Sequence, residues 1–567
     1  MKLRRRLVAA LALLGLATTC LVSAASAAPK PPKVQDRSEI EVQILAINDF
    51  HGNLEPPSGS SGRVGTVDAG GVAYLASHIA QLEATNRNTI VVSAGDLIGA
   101  SPLVSALFHD EPTIEAMNMI GLDLNAVGNH EFDEGTAELL RMQQGGCHPV
   151  DGCLDGDGFA GADFQFLAAN VVSRETGRTL FPPYSIESFN GAKVAFIGMT
   201  LEGTPMIVSP SGVAGYDFLD EADTVNALVP ELRRRGVEAI VVLVHEGGLP
   251  AALEPNGCAG VSGAIVDIVE RLDDAVDLVI SGHTHQPYRC VIDGTPVTSA
   301  YSFGRMLTDI DLRVDRRTGD VTSVEIDNRI VTRDVTPVQA LLDLIERYTI
   351  LAQPIANRPI GRITADVTRA AAPSGESPLG NAIADAQLAA TAAPEDGGAV
   401  IALMNPGGVR ADLIYASSPA GEGDGVVTYG EAFTVQPFGN SLVTMTLTGA
   451  QIEQVLEDQA CGANEASPRI LQPSYTLRYE WRASGPPCDK VDPASITIAG
   501  QPLDLAAEYR VTVNSFLADG GDGFPVFVQG TNRLGGPVDT DAFEAYLRSL
   551  DPDGLTPPAT DRITLVP

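Results

Sequence analysis

The heptapeptide Val127-Gly128-Asn129-His130-Glu131-Phe132-Asp133 brings an amide oxygen, an imidazole and a carboxylate into one short stretch. Asn129 could hold a metal ion and His130 could act on a nearby phosphoryl group. Asp133, three residues on, could orient that imidazole. The same composition also suits a purely structural strand-to-helix turn. The choice between the two depends on whether the rest of the chain supplies further ligands.

Ligand-type residues recur along the chain. Asp49 and His51 are two apart and so point the same way from an extended chain end. A carboxylate beside an imidazole suits Zn²⁺, Mn²⁺ or a similar ion. Asp96 follows Gly95, His245 ends an apolar run, and His283 and His285 repeat the two-residue spacing. Of the eight histidines, five (51, 130, 245, 283 and 285) fall at strand ends, leaving His78, His109 and His148 elsewhere. His78 reads as structural. Two metal ions about 3.5–4 Å apart need a bridging carboxylate and several N/O ligands. This set supplies them.

Those residues must be positioned by the elements around them. Apolar runs at 40–47, 89–93, 123–127, 192–198, 238–244 and 276–280 predict buried strands. Between them, 3.6-residue periodicity predicts helices after Gly70-Gly71 and over 112–120, 221–235 and 262–272. Alternating strands and helices imply an α/β domain, which places its sites beyond the C-terminal ends of its strands. Every candidate ligand sits there.

A chain of 567 residues exceeds one core and implies two to four domains. Lys2, Arg4, Arg5 and Arg6, an apolar run from Leu7 to Leu16 and the small residues Ala25-Ser26-Ala27 read as a secretory signal peptide over 1–27. No later run is long and apolar enough to span a membrane. Removing the signal's four cations takes the net charge from −35 to about −39 (−35 − 4). So acidic a surface disfavours nucleic-acid polymers and anionic membranes, yet permits a small anion at a site with its own metals and arginines. Six cysteines remain after cleavage, an even count that implies three disulfides in an exported protein. Proximity favours Cys147–Cys153, Cys258–Cys290 and Cys461–Cys488 among the fifteen pairings of six cysteines.

The second half carries different chemistry. Arg410, in Asn405-Pro406-Gly407-Gly408-Val409-Arg410, can grip phosphate oxygens bidentately, and Arg369 is a second candidate. Phe438 and Phe516 stand in glycine-bearing loops of a chain with only 5% aromatics. A single loop phenylalanine is more often a core plug; two such loops suit stacking against a flat base.

Together, Asn-Asp-x-His-Gly at 48–52, Gly-Asp at 95–96, Gly-Asn-His-Glu-Phe-Asp at 128–133, His245 and Gly-His-x-His at 282–285 resemble the calcineurin-like metallophosphoesterases. Within them the chain is similar to the exported 5'-nucleotidases. The Asn405–Arg410 loop, Pro437-Phe438-Gly439-Asn440 and the stretch 514–524, which includes Asp522, resemble that family's C-terminal substrate loops. The resemblance implies two divalent ions, with Asp49, His51 and His285 on one, Asn129, His245 and His283 on the other, and Asp96 bridging. It implies His130 and Asp133 as catalytic residues, and Arg369, Asn405, Arg410, Phe438, Phe516 and Asp522 as the substrate-binding set. Two departures stand out: Glu246 after His245, and Pro406. The implied architecture is a metallophosphoesterase domain of mixed sheets flanked by helices over 40–332, a helical linker at 333–358 and an α+β substrate domain over 359–567. The expected activity is release of phosphate from nucleoside 5'-monophosphates, with di- and triphosphates or UDP-sugars as further substrates. The alternatives are a 2',3'-cyclic-nucleotide phosphodiesterase with 3'-nucleotidase activity and a surface nucleotide-binding protein without turnover.

Overall fold

The first strand, Glu39–Ile47, is apolar on both sides. Val42, Ile44 and Ala46 enter one core and Leu45 and Ile47 another, and none is more than 1% exposed. A strand buried on both faces belongs inside a layered α/β structure. This computed structural model describes residues 38–566 apart from 58, 207, 209–211, 419–420 and 466–467; the expected signal peptide lies outside the described residues.

Glu39–Ile47 runs parallel to Thr89–Ser93, which is followed by Leu124–Ala126 and Gln165–Leu167, also parallel. On its other side it pairs antiparallel with Met306–Asp315, which in turn pairs with Val321–Ile330. A second six-stranded sheet runs in the order Pro287–Ile292, Thr295–Ala300, Leu278–Ser281, Ala239–His245, Ala192–Thr200, Tyr184–Phe189. The inner faces of the two sheets share one core, in which Val42, Ile44 and Val92 join Phe196, Val241, Leu243 and Ile280. Helices Val72–Glu83, Glu111–Ile120 and Gln339–Ala356 cover the first sheet, and Glu221–Arg234 and Ala264–Arg271 the second. Because the sheets are stacked, their C-terminal strand ends open at one common edge.

The C-terminal half is α+β. A five-stranded sheet orders Gln472–Pro473, Ile401–Met404, Glu508–Asn514, Ser441–Thr448 and Thr531–Val538. A four-stranded sheet contains Leu477–Arg482 and Ile563–Val566. Helices Tyr429–Val435 and Gly449–Asp458 open on capping boxes, in which Thr428 with Glu431, and Thr448 with Gln451, satisfy each other's backbone N–H groups. Arg562 and Asp385 form a buried bidentate pair at 2.7 Å that ties the last strand to helix Pro378–Thr391. Cys147–Cys153, Cys258–Cys290 and Cys461–Cys488 are bonded, the pairing that proximity favoured.

Candidate active site

Backbone conformation is the first sign that the strand ends are specialised. Asp49, His51, Asp96, His283 and His285 all have φ between +47° and +70°. Each such non-glycine residue costs on the order of 1–3 kcal/mol, so the turns are kept by what their side chains do. Neighbouring glycines make room. A Cβ on Gly128 would fall 2.2 Å from Asp96 Oδ1, and one on Gly95 would fall 2.6 Å from His245 Nδ1.

The structure brings the seven expected ligands into two adjoining groups. In the first, His51 Nε2 lies 3.0 Å from His285 Nε2, and Asp49 Oδ1 lies 3.3 Å from that same His285 nitrogen. In the second, Asn129 Oδ1 lies 3.2 Å from His245 Nε2 and 3.0 Å from His283 Nδ1. Asp96 reaches both, with Oδ2 at 3.6 Å from His51 Nε2 and 3.0 Å from His245 Nε2.

Proton placement shows what these groups lack. The Nδ1–H of His51 donates to the Gly99 carbonyl at 2.9 Å, and that of His245 to the Ala94 carbonyl at 2.8 Å. His51 Nε2 then keeps a lone pair for a cation, whereas His245 Nε2, 3.0 Å from Asp96 Oδ2, carries a proton that a metal ion would displace. Burial holds His51 down at about 3 and His283 at about 4, so both imidazoles are neutral, as ligation requires. At His245 burial also pulls downward, but the Asp96 carboxylate outweighs it and raises the imidazole to about 10. Asp96 itself is held well below the usual carboxylate range, because its histidine neighbours overcome burial. The donor set therefore fits divalent metal ions, as a calcineurin-like fold implies.

His130 stands at the rim, 24% exposed, its Nδ1 2.8 Å from Asp133 Oδ2. Its backbone N–H donates to Asp96 Oδ1 at 2.9 Å. Burial lowers its pKa, yet Asp133 and Asp96 raise it to about 10. A ligand-distance grouping with His51 and Asp96 also includes it.

Glu131 is a positioning residue that sequence reasoning missed. Its carboxylate accepts four hydrogen bonds, from the backbone N–H groups of Asp96, Leu97 and Gly128 at 3.0, 3.0 and 2.7 Å and from Asn125 at 3.1 Å. Through them it fixes the turn carrying Asp96 to the turn carrying Asn129. The available signal was a second carboxylate in the 128–133 turn besides Asp133. The Glu246 departure is absorbed locally: its carboxylate accepts the Gly247 N–H at 2.8 Å and leaves His245 in place. His78, as expected, is structural, bonded to the Thr332 carbonyl at 3.0 Å.

The C-terminal candidates lie on three loops tied to one another. Asn514 donates to Asn405 at 2.9 Å, Asn405 donates to Asp522 at 2.9 Å, and Ser515 donates to Asn440 at 3.1 Å. Asp522 also pairs with Arg469, a partner absent from the sequence reading. The guanidinium of Arg410 lies 5.6 Å over the Phe438 ring, and Arg369 donates to the carbonyl of Val409 at 3.3 Å, so both arginines attend one loop. A cavity of about 200 Å³ is lined by Arg369, Ser377, Pro406 and Val409, among others. Phe516 is 46% exposed, its ring against the Gly521 backbone. Gly439 packs on Ala100, where a Cβ would fall 3.0 Å from the Ala100 Cα. The loop of Phe438 therefore touches the loop whose Gly99 carbonyl holds His51.

Comparison with known proteins agrees with this architecture. Residues 42–287 match the calcineurin-like phosphoesterase family, and residues 359–529 match the 5'-nucleotidase C-terminal domain. The chain is 32% identical over 544 residues to Endonuclease YhcR of Bacillus subtilis, covering 93% of this chain and 41% of that protein. It is 35% identical over 539 residues to Cell wall protein Lmo0130 of Listeria monocytogenes, covering 90% and 67% respectively. It thus spans less than half the length of the first of these relatives and about two thirds of the second. A solved 5'-nucleotidase precursor from Thermus thermophilus superposes with a TM-score of 0.59 at 28% identity, covering 93% of this chain and 99% of that one. With both of its halves matched and its ligand set assembled at one sheet edge, the chain belongs to the 5'-nucleotidase family of phosphoric ester hydrolases, in which a calcineurin-like phosphoesterase domain precedes a 5'-nucleotidase C-terminal domain.

Proposed function

We propose that this protein is a secreted, metal-dependent 5'-nucleotidase that releases phosphate from nucleoside 5'-monophosphates. The observation that carries the reading is the contact of Gly439 with Ala100, which sets the Phe438 loop beside the ligand loop of His51. A phosphate at the strand ends and a base at Phe438 then belong to one small molecule.

Asp49, His51 and His285 would hold one divalent ion and Asn129, His245 and His283 another, with Asp96 shared. The ions supply charge neutralisation at the phosphoryl group and activation of water. His130, fixed by Asp133, presents its remaining ring N–H to phosphoryl or leaving-group oxygen, where negative charge grows as the ester bond breaks. Arg410 and Arg369 steady phosphate oxygens, Asn405 and Asp522 shape the loop beneath them, and Phe438 and Phe516 stack on the base. Residues 333–358 serve as the hinge between a catalytic half at 40–332 and a substrate half at 359–567.

Three disulfides support an oxidising, extracytoplasmic location. A net charge of −35 favours a small nucleotide over a nucleic-acid polymer. Among the described residues, no helix is long and apolar enough to cross a membrane. The complete ligand set argues against a binding protein without turnover. The test is phosphate release from AMP, UDP-glucose, 3'-AMP and 2',3'-cyclic AMP, before and after chelation. AMP should be the fastest of the four and chelation should abolish release. Faster turnover of 3'-AMP or the cyclic nucleotide would reject the 5' assignment, and no turnover of any would reject the enzyme.

A further inference from the structure

The two histidines left over from the strand ends, apart from His78, meet in space. His109 lies in the turn before helix Glu111–Ile120, and His148 in the short loop closed by Cys147–Cys153. Their rings stack with centroids 3.8 Å apart and planes 19° from parallel. Asp151, from the same closed loop, sets one carboxylate oxygen 3.1 Å from His109 Nε2 and 3.1 Å from His148 Nδ1. Donor atoms sharing one ion at about 2.0–2.1 Å stand roughly 3–3.4 Å apart. The two imidazole–carboxylate spacings match, and an ion would be shared once the stacked rings splay so that their in-plane lone pairs converge.

The far sides of the rings are also arranged. His109 Nδ1 donates to Glu134 Oε2 at 2.7 Å and Nε2 lies 3.1 Å from Asp151 Oδ2; a metal ion would take the place of the Nε2 proton and leave Nδ1–H on Glu134. A carboxylate behind a ligating imidazole is the recurrent second partner of a metal-bound histidine. His148 Nδ1 accepts the Asp151 backbone N–H at 3.1 Å, which puts its proton on Nε2, 4.0 Å from Glu138. The His148 Nδ1 lone pair is taken by the Asp151 N–H, with the Asp151 carboxylate oxygen also 3.1 Å away, so an ion bound here exchanges this hydrogen bond for a metal bond. Glu138 is itself committed to Arg141 at 2.6–2.9 Å, which leaves Asp151 as the inward carboxylate. Both imidazoles are about 15% exposed and Asp151 is 47% exposed, so an ion can enter from solvent.

We propose that His109, His148 and Asp151 form an additional divalent metal site, separate from the strand-end cluster, of the zinc class that two imidazoles and a carboxylate select. The ion would join three segments: the turn before Glu111–Ile120, the disulfide-closed loop, and, through Glu134, the stretch beginning at Asp133. Its role is to brace the ground behind His130. The proposal stands on these residues and not on the substrate assignment.

The test measures bound zinc per chain, by mass spectrometry after dialysis, in the intact protein and in the variant H109A/H148A. The variant should carry one equivalent less and lose the part of the zinc-dependent rise in melting temperature that this site provides. Glu134→Gln, which removes no ligand, should weaken zinc at this site roughly 10–100-fold. A folded double variant that keeps the full zinc count would overturn the proposal, the pair then being an imidazolium held by its carboxylates. If the double variant does not fold, zinc-edge anomalous scattering from crystals of the unaltered protein decides. A peak bonded to both His109 Nε2 and His148 Nδ1 supports the site, and a bare pair in zinc-soaked crystals overturns it.

Discussion

The Nε2 atoms of His51 and His285 face each other across 3.0 Å, with the opposite nitrogen of His51 already donating to the Gly99 carbonyl. The His51 Nε2 lone pair is met at that distance either by an Nε2–H of His285 or by a cation that both nitrogens ligate. Asp96 adds a carboxylate that reaches from this pair to His245.

The first prediction follows from that shared carboxylate. Asp96→Asn removes the one charge common to both groups and should lose most activity and at least part of the bound metal. Metal content and AMP turnover are the measurements. Full activity in the variant would contradict a two-metal centre.

His130 is the second. It is held by Asp133 at 2.8 Å at the rim, so on the proposed mechanism His130→Ala should retain its metals. Turnover should fall roughly 10²–10⁴-fold. If metal leaves with the imidazole, His130 is a ligand instead, as its closeness to His51 and Asp96 would allow.

Glu131 gives a third, because it is buried and receives three hydrogen bonds from the Asp96 and Asn129 turns and a fourth from Asn125. Glu131→Ala should weaken metal affinity about 10–100-fold. Saturating metal should then restore much of the turnover, which separates positioning from chemistry. Unchanged metal affinity in the variant would remove Glu131 from this role.

Base stacking is worth about 1–3 kcal/mol, or roughly 5- to 150-fold in affinity. Phe438→Ala and Phe516→Ala should each raise KM for AMP within that range, leaving hydrolysis of a simple alkyl phosphate nearly unchanged. Equal losses on both substrates would mean the rings serve packing.

The fifth prediction is one of pH and stability. Asp539, 2% exposed at the start of helix Asp539–Ser549, is raised by burial to about 7 from its ordinary 3.8. Between those values the folded protein binds the extra proton, so this group's contribution to stability falls as pH rises through that window. Asp539→Asn carries no such term. The melting temperature of the variant minus that of the parent should therefore increase from about pH 4 to about pH 7 and then level. A difference that stays constant across this range would contradict the buried proton.

Much of this site was legible because its residues sit where an apolar run meets glycine. The strand at 89–93 is observed as Thr89–Ser93, and all seven ligand-type residues converge. Boundaries moved where backbone and side chain compete. The run at 123–127 is observed as strand Leu124–Ala126, with Asp123 at its start accepting the Val91 N–H on its carboxylate. The helix expected from 262 starts at Ala264, because Gly263 has φ +102°. Within the stretch 333–358, expected to be a helical linker, the helix spans Gln339–Ala356 and runs through Pro354, whose missing N–H removes only its own turn's bond near the helix end. Glu131, Arg469 and the His109–His148 pair were not legible as partners. Their meaning depends on contacts between segments far apart in the chain, which periodicity does not report.

The hydrogen bonds of the loops carrying Asn405, Asn440 and Asn514 run chiefly among themselves, between Asn405 and Asn514, Asn405 and Asp522, and Ser515 and Asn440, while Gly439 packs on Ala100 of the strand-end loops. With this wiring, a substitution in one of these loops disturbs its neighbouring loops before it disturbs the strand-end cluster.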